Sequence, residues 1–274
     1  MTPALPQRPP FAIRARLLTP HAHGGIRWED DALLRVDERG AIGSIGQTPP
    51  DIAHAGDVVD LRPWVLIPGL IDLHAHLPQL PNAGVGAGLH LLAWLERYIF
   101  PLERDFDEAT AERVAPAAFR AFARAGSTTV VAYGAIWQPS LDACFRAAEA
   151  HGIRAVLGKV MMDRLSYDIE RSPQEVLELS IRQSTELCER WHGADAGRLS
   201  YAFSPRFAVS CSAQMLSESA RAARDTGAYW QTHLSEDVNE LAEVQRLFPD
   251  AADYTDVYDR AGGLRPGAIL AHAV

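Results

Sequence analysis

Two hydrophobic patterns divide the chain, and the change between them falls near Trp64. Before it, apolar stretches are short, at residues 12–18, 32–36, 41–45 and 58–61. Turn-forming clusters separate them: Gly24-Gly25, Glu38-Arg39-Gly40 and Pro49-Pro50-Asp51. This predicts a small β-sandwich, or the start of one, over residues 1–66. After it, continuous apolar runs at 65–76, 128–133, 154–162, 200–207, 229–233 and 268–274 alternate with helical stretches. Ser172-Pro173 followed by Glu175 supplies a cap, a first-turn proline and a capping-box acid for a helix running to Trp191 and stopping at Gly193. Helices over 140–150 and 212–226 end at Gly152 and Gly227 in the same way. Pro116, inside the helical run 109–125, predicts a split or a kink. Strand–helix alternation with unbroken apolar strands implies a parallel sheet covered by helices over residues 67–274.

Polar residues cluster where these strands end. In Asp72-Leu73-His74-Ala75-His76 the two histidines stand two apart, so both project from one face of a strand. Two imidazoles so placed can share one metal ion, although a pair of polar residues at a strand exit is the plain alternative. His21-Ala22-His23 repeats the tripeptide, but between Pro20 and Gly24 it reads as a turn. His233 and His272 also close apolar runs, which brings four histidines to the same end of three strands. His54, His90, His151 and His192 fall in loops or helices and read as surface or packing residues. Glu236, three residues after His233, is placed either to move a proton beside a metal-bound water or to cap the next helix, whereas Asp237 has only the capping role. Arg206 offers a planar fork to a carbonyl, Phe207 a stacking surface, and Gln79 an amide for a polar ring edge; each also reads as an ordinary surface or core residue.

Composition narrows the class. With 26 basic and 35 acidic residues the net charge is −9, which argues against a nucleic-acid partner. A 47% hydrophobic and 22% charged composition excludes a disordered or fibrous chain. No apolar run of about 18 residues is present, so no membrane partner is expected. The proline-rich start does not read as a secretory signal. Cys144, Cys188 and Cys211 lack metal-type spacing and suggest reduced thiols in a cytoplasmic protein. Lys159 is the one lysine beside 25 arginines, which reads as genome composition and not as a site.

Taken together, Pro68-Gly69-Leu70-Ile71-Asp72-Leu73-His74-Ala75-His76, His233 and His272 resemble the amidohydrolase superfamily. Within it, the guanine deaminases are similar in five segments: His74-Ala75-His76-Leu77-Pro78-Gln79, the run from Leu92 to Glu103, the run from Ser204 to Ser212, Gln231-Thr232-His233-Leu234-Ser235-Glu236, and Tyr254-Thr255-Asp256-Val257-Tyr258-Asp259. The resemblance implies a TIM-type (β/α) barrel, here with about six of its eight strands, after a small β domain. It implies hydrolysis of guanine to xanthine and ammonia with one zinc, iron(II) also suiting the ligands. His74, His76 and His233 would hold the metal, Glu236 would relay protons, and His272 would orient the attacking hydroxide or polarise the intermediate. Gln79, Arg206 and Phe207 would bind the base, and the complete enzyme would be a homodimer.

The resemblance also implies an aspartate beyond the strand of His272, and the sequence stops at Val274. The motifs therefore describe the first part of a larger enzyme, and the isolated chain is expected to bind metal weakly and show little activity. Two alternatives stand beside this reading. One is another aminohydrolase or chlorohydrolase acting on triazines, pterins or nucleosides; the other is an inactive or non-catalytic product.

Overall fold

The computed structural model describes residues 6, 8–49 and 58–274. Most of the first seven residues, Pro50-Asp51 and His54 lie outside the described residues. The chain forms two compact units, Met1–Gly69 and Leu70–Val274.

In the first unit, β1 (Phe11–Pro20), β2 (Ile26–Val36), β3 (Ile42–Gln47) and β4 (Val58–Leu66) form one sheet in the order β3-β2-β1-β4. β4 runs parallel to β1, while β2 is antiparallel to both β1 and β3. Alternation along β1 buries Ile13, Ala15 and Leu17. His21 and His23 are exposed in the turn after β1, which the His21 amide closes on the Gly25 carbonyl at 3.1 Å.

The second unit is a nearly closed parallel barrel pattern. Its strands are β5 (Leu70–His76), β6 (Ser127–Tyr133), β7 (Arg154–Gly158), β8 (Val160–Met161), β9 (Leu199–Pro205), β10 (Tyr229–Leu234) and β11 (Ala268–His272). The order is β5-β6-β7-β9-β10-β11, with β8 beside β9. Helices including Glu108–Arg124, Gln138–His151, Pro173–Trp191 and Ala213–Thr226 connect the strands, the βαβ solution for parallel neighbours. The Ser172–Glu175 capping box forms as expected, and Gly152 ends its helix at φ 76°, a conformation that favours glycine. Phe119, Phe145, Leu187, Tyr201, Phe203 and Trp230 lie in one buried hydrophobic cluster between strands and helices. The rings of His74 on β5 and His272 on β11 are 4.9 Å apart, so the carboxyl ends of the two outer strands converge.

Three local expectations are corrected. Residues 65–76 are not one strand: β4 ends at Leu66 and β5 begins at Leu70, because Pro68 has no N–H for a ladder. The run 154–162 breaks at Lys159. A Cβ on Gly158 would lie 1.8 Å from Ser204 Oγ, so the backbone there approaches β9 too closely for any other residue. The helix Glu108–Arg124 runs unbroken through Pro116. The carbonyl that proline leaves without a donor belongs to Glu112, which is exposed, so water can take its place.

Candidate active site

His74 and His76 share one face of β5, and His76 lies in register with Tyr133 of β6. The two rings stack with centroids 4.7 Å apart and planes at 9°. His233, near the end of β10, is fixed through its ring: Nδ1 lies 2.6 Å from the Arg206 carbonyl oxygen. A carbonyl only accepts, so Nδ1 carries the hydrogen and Nε2 keeps its lone pair. The His233 carbonyl in turn accepts from the Tyr258 hydroxyl at 2.6 Å. His272 ends β11 at φ 69°, with Ala273 and Ser235 also left-handed at 53° and 55°. Each such conformation costs a non-glycine residue about 1 kcal/mol or more, and their concentration at two strand ends is typical of functional sites.

The imidazoles converge. Ligand nitrogens of His74, His233 and His272 all lie within 4.8 Å of one another, and His76 Nε2 is 2.9 Å from His233 Nε2. His76 Nδ1 is buried without a hydrogen-bond partner. Burial pushes the His74 imidazole down to about 4, with the neighbouring His272 adding to it. Burial likewise holds His76 and His233 well below the usual imidazole range and lowers His272. Neutral, convergent nitrogens, one oriented by a backbone carbonyl, form a donor set that fits a borderline divalent cation such as zinc. This three-histidine group contains His272, to which the resemblance gives a catalytic role, while His76 joins it through His233.

Glu236 Oε2 lies 3.3 Å from His272 Nε2. Burial, then the nearby Glu240, raises its carboxyl to about 7. Glu240, itself buried, accepts the Glu236 amide at 2.7 Å and the Tyr254 hydroxyl at 2.8 Å. Asp237 caps the helix Val238–Leu247 and faces His90 at 3.0 Å.

A cavity of about 270 Å³ is lined by His74, His76, Gln79, Arg206, Phe207, His233, Glu236 and His272, together with Ala75, Leu91, Trp94 and Leu95. All eight residues singled out from the sequence therefore meet on one concave surface. Arg206 and Phe207 are buried, and the Arg206 guanidinium lies over the Phe100 ring at 5.3 Å. Sequence reasoning gave no role to Glu103 or Tyr133. Glu103 is wholly buried and accepts from both Gln79 and Arg206. Its signal in the sequence is its place at the end of the Leu92–Glu103 segment that carries the resemblance.

A model of the Amidohydrolase family matches residues 65–274. The guanine deaminase of Escherichia coli (strain K12) is 35% identical over 254 residues, covering 91% of this chain and 56% of that protein. The chain thus spans little more than half the length of this curated relative. A solved guanine deaminase from C. acetobutylicum, with guanine bound in its active site, superposes with a TM-score of 0.87 at 26% identity, over 96% of this chain and 62% of that one. An atrazine chlorohydrolase from Arthrobacter aurescens TC1, complexed with zinc, has a TM-score of 0.81 at 21% identity over 96% of this chain and 61% of its own, and shares the fold.

Proposed function

Because the chain belongs to the amidohydrolase family, we propose that its cavity is the site of a hydrolytic guanine deaminase, which converts guanine and water to xanthine and ammonia. The observation that carries this reading is the meeting of the four-histidine group with Gln79, Arg206 and Phe207 on one cavity, together with a similar structure that holds guanine. His74, His76 and His233, with His272 close by, would hold a zinc ion. When bound, zinc supplies Lewis-acid polarisation and a water of lowered pKa.

The remaining roles belong to the chain. Arg206 donates to the ring carbonyl, a contact that adenine, with an amino group there, cannot accept. Phe207 gives the ring an apolar face. Glu236 is poised near neutrality to take a proton from water and deliver it to the ring nitrogen, which removes the negative charge that attack at the amino-bearing carbon builds up. His272, 3.3 Å from that carboxylate, keeps it turned toward the reacting atoms. Three buried, unpaired cysteines suit a reducing, cytoplasmic setting. Among the described residues no helix is long and apolar enough to cross a membrane.

The test is a substrate panel. Xanthine and ammonia should form from guanine far faster than products form from triazines, pterins or nucleosides. Turnover of a triazine with guanine inert would overturn the reading.

A further inference from the structure

The buried carboxylate of Glu103 links two residues of the cavity wall. Its Oε1 accepts from Gln79 Nε2 at 2.9 Å, and its Oε2 accepts from Arg206 Nη1. A carboxylate offers only acceptors, so the Gln79 amide must turn its NH₂ toward Glu103. Its carbonyl oxygen is then left as the free end, on a residue that lines the cavity. Among the described residues no protein group donates to it. Arg206 spends one nitrogen on Glu103 and retains donors for a ligand. The wall therefore presents an acceptor and a donor side by side.

We infer that Glu103 is a positioning residue that sets the polarity of this wall, so that the site reads a cyclic amide edge, N–H beside C=O, and rejects the inverted edge of a cyclic amidine. This rests on the guanine reading of the same site, since guanine carries such an edge at its N1–H and C6 carbonyl. Without Glu103, the Gln79 amide is free to rotate and offer NH₂, which removes its part of the distinction and leaves only that of Arg206. The selectivity of the site would then depend on a side chain buried behind its wall.

The test uses two purines that lack the reacting 2-amino group, hypoxanthine with the amide edge and adenine with the amidine edge. Their binding to the zinc-loaded protein is measured by equilibrium dialysis. The unaltered protein should favour hypoxanthine by about tenfold or more. Glu103→Gln should lower that preference by about threefold or more, because the two facing amides can then pair in either orientation, while the Arg206 guanidinium, which can only donate, keeps its own share. The exchange Glu103→Gln with Gln79→Glu should restore the preference: the amide introduced behind the wall donates to the carboxylate introduced on it, whose second oxygen faces the cavity as an acceptor. A merely structural role for Glu103 predicts no such rescue. An undiminished preference in Glu103→Gln, or no recovery in the exchange variant, overturns the inference. Should Glu103→Gln fail to fold, the exchange variant, which keeps one carboxylate in the pair, decides alone. Unaltered protein that binds neither purine would overturn the guanine reading itself, an outcome distinct from a loss of selectivity confined to the variants.

Discussion

His233 Nδ1 and the carbonyl oxygen of Arg206 lie 2.6 Å apart, and this contact ties the proposed metal side of the cavity to its substrate side. One residue fixes the tautomer of a ligand through its backbone and reaches the base-binding wall through its side chain. The first prediction follows from it. His74→Ala and His233→Ala should each weaken zinc binding by about 100-fold or more, since each removes a ligand. Tyr133→Phe, which keeps the ring stacked on His76 and removes a hydroxyl that makes no hydrogen bond, should leave zinc binding within about threefold. Competition against a chelator of known affinity measures this, and zinc retained at full affinity in both alanine variants would contradict the assignment.

Glu236→Gln keeps the shape and polarity of the side chain but cannot accept or release a proton. Turnover of guanine should fall by about 10²–10⁴, with hypoxanthine affinity nearly unchanged. Steady-state kinetics beside equilibrium dialysis separates the two. A parallel loss of both would make Glu236 a binding residue.

Tyr258 donates to the His233 carbonyl at 2.6 Å from a wholly buried position. Tyr258→Phe leaves that carbonyl with only the Tyr254 hydroxyl, 3.4 Å away and shared with Glu240, and should lower stability by about 1–3 kcal/mol. Denaturant titration reads the change. No loss of stability would show that another donor satisfies the strand end.

Lys159 is buried, with Nζ 2.8 Å from Ser180 Oγ, and burial lowers its ammonium to about 7. The unfolded chain holds that proton up to the ordinary lysine range, near 10.5. Between these values the unfolded state binds the extra proton, so folding stability should rise with pH, by up to about 1.4 kcal/mol per unit, and level off outside the window. Lys159→Met should flatten the profile between pH 7 and 10. Parallel profiles for the two proteins would show that the amine is charged in the fold.

The sequence made the site more legible than its supports. Histidines at strand ends stand out because strand alternation and strand termini can be read from short patterns, whereas Gln79, Arg206 and Phe207 gain a role only through the family resemblance. Glu103 does not stand out, because its partners lie 24 and 103 residues away and only the fold brings them together. Helix ends were clear at Ser172 and Gly152, where capping is local. Strand breaks at 67–69 and at Lys159 were hidden in apolar runs. The second sits beside Gly158, whose close approach to Ser204 is a tertiary fact. Pro116 misled for the opposite reason, since a local rule for breaking helices yields where the freed carbonyl faces water.

The most direct measurement is guanine hydrolysis by the chain completed to the length of its guanine deaminase relatives, stripped of metal with a chelator and then restored with zinc. Xanthine and ammonia should appear in equal amounts, only after zinc is returned, and not at all when His233 is replaced by alanine. Guanine turnover that proceeds equally well without metal, or zinc-loaded protein that leaves guanine intact, would contradict a metal-dependent guanine site built on these histidines.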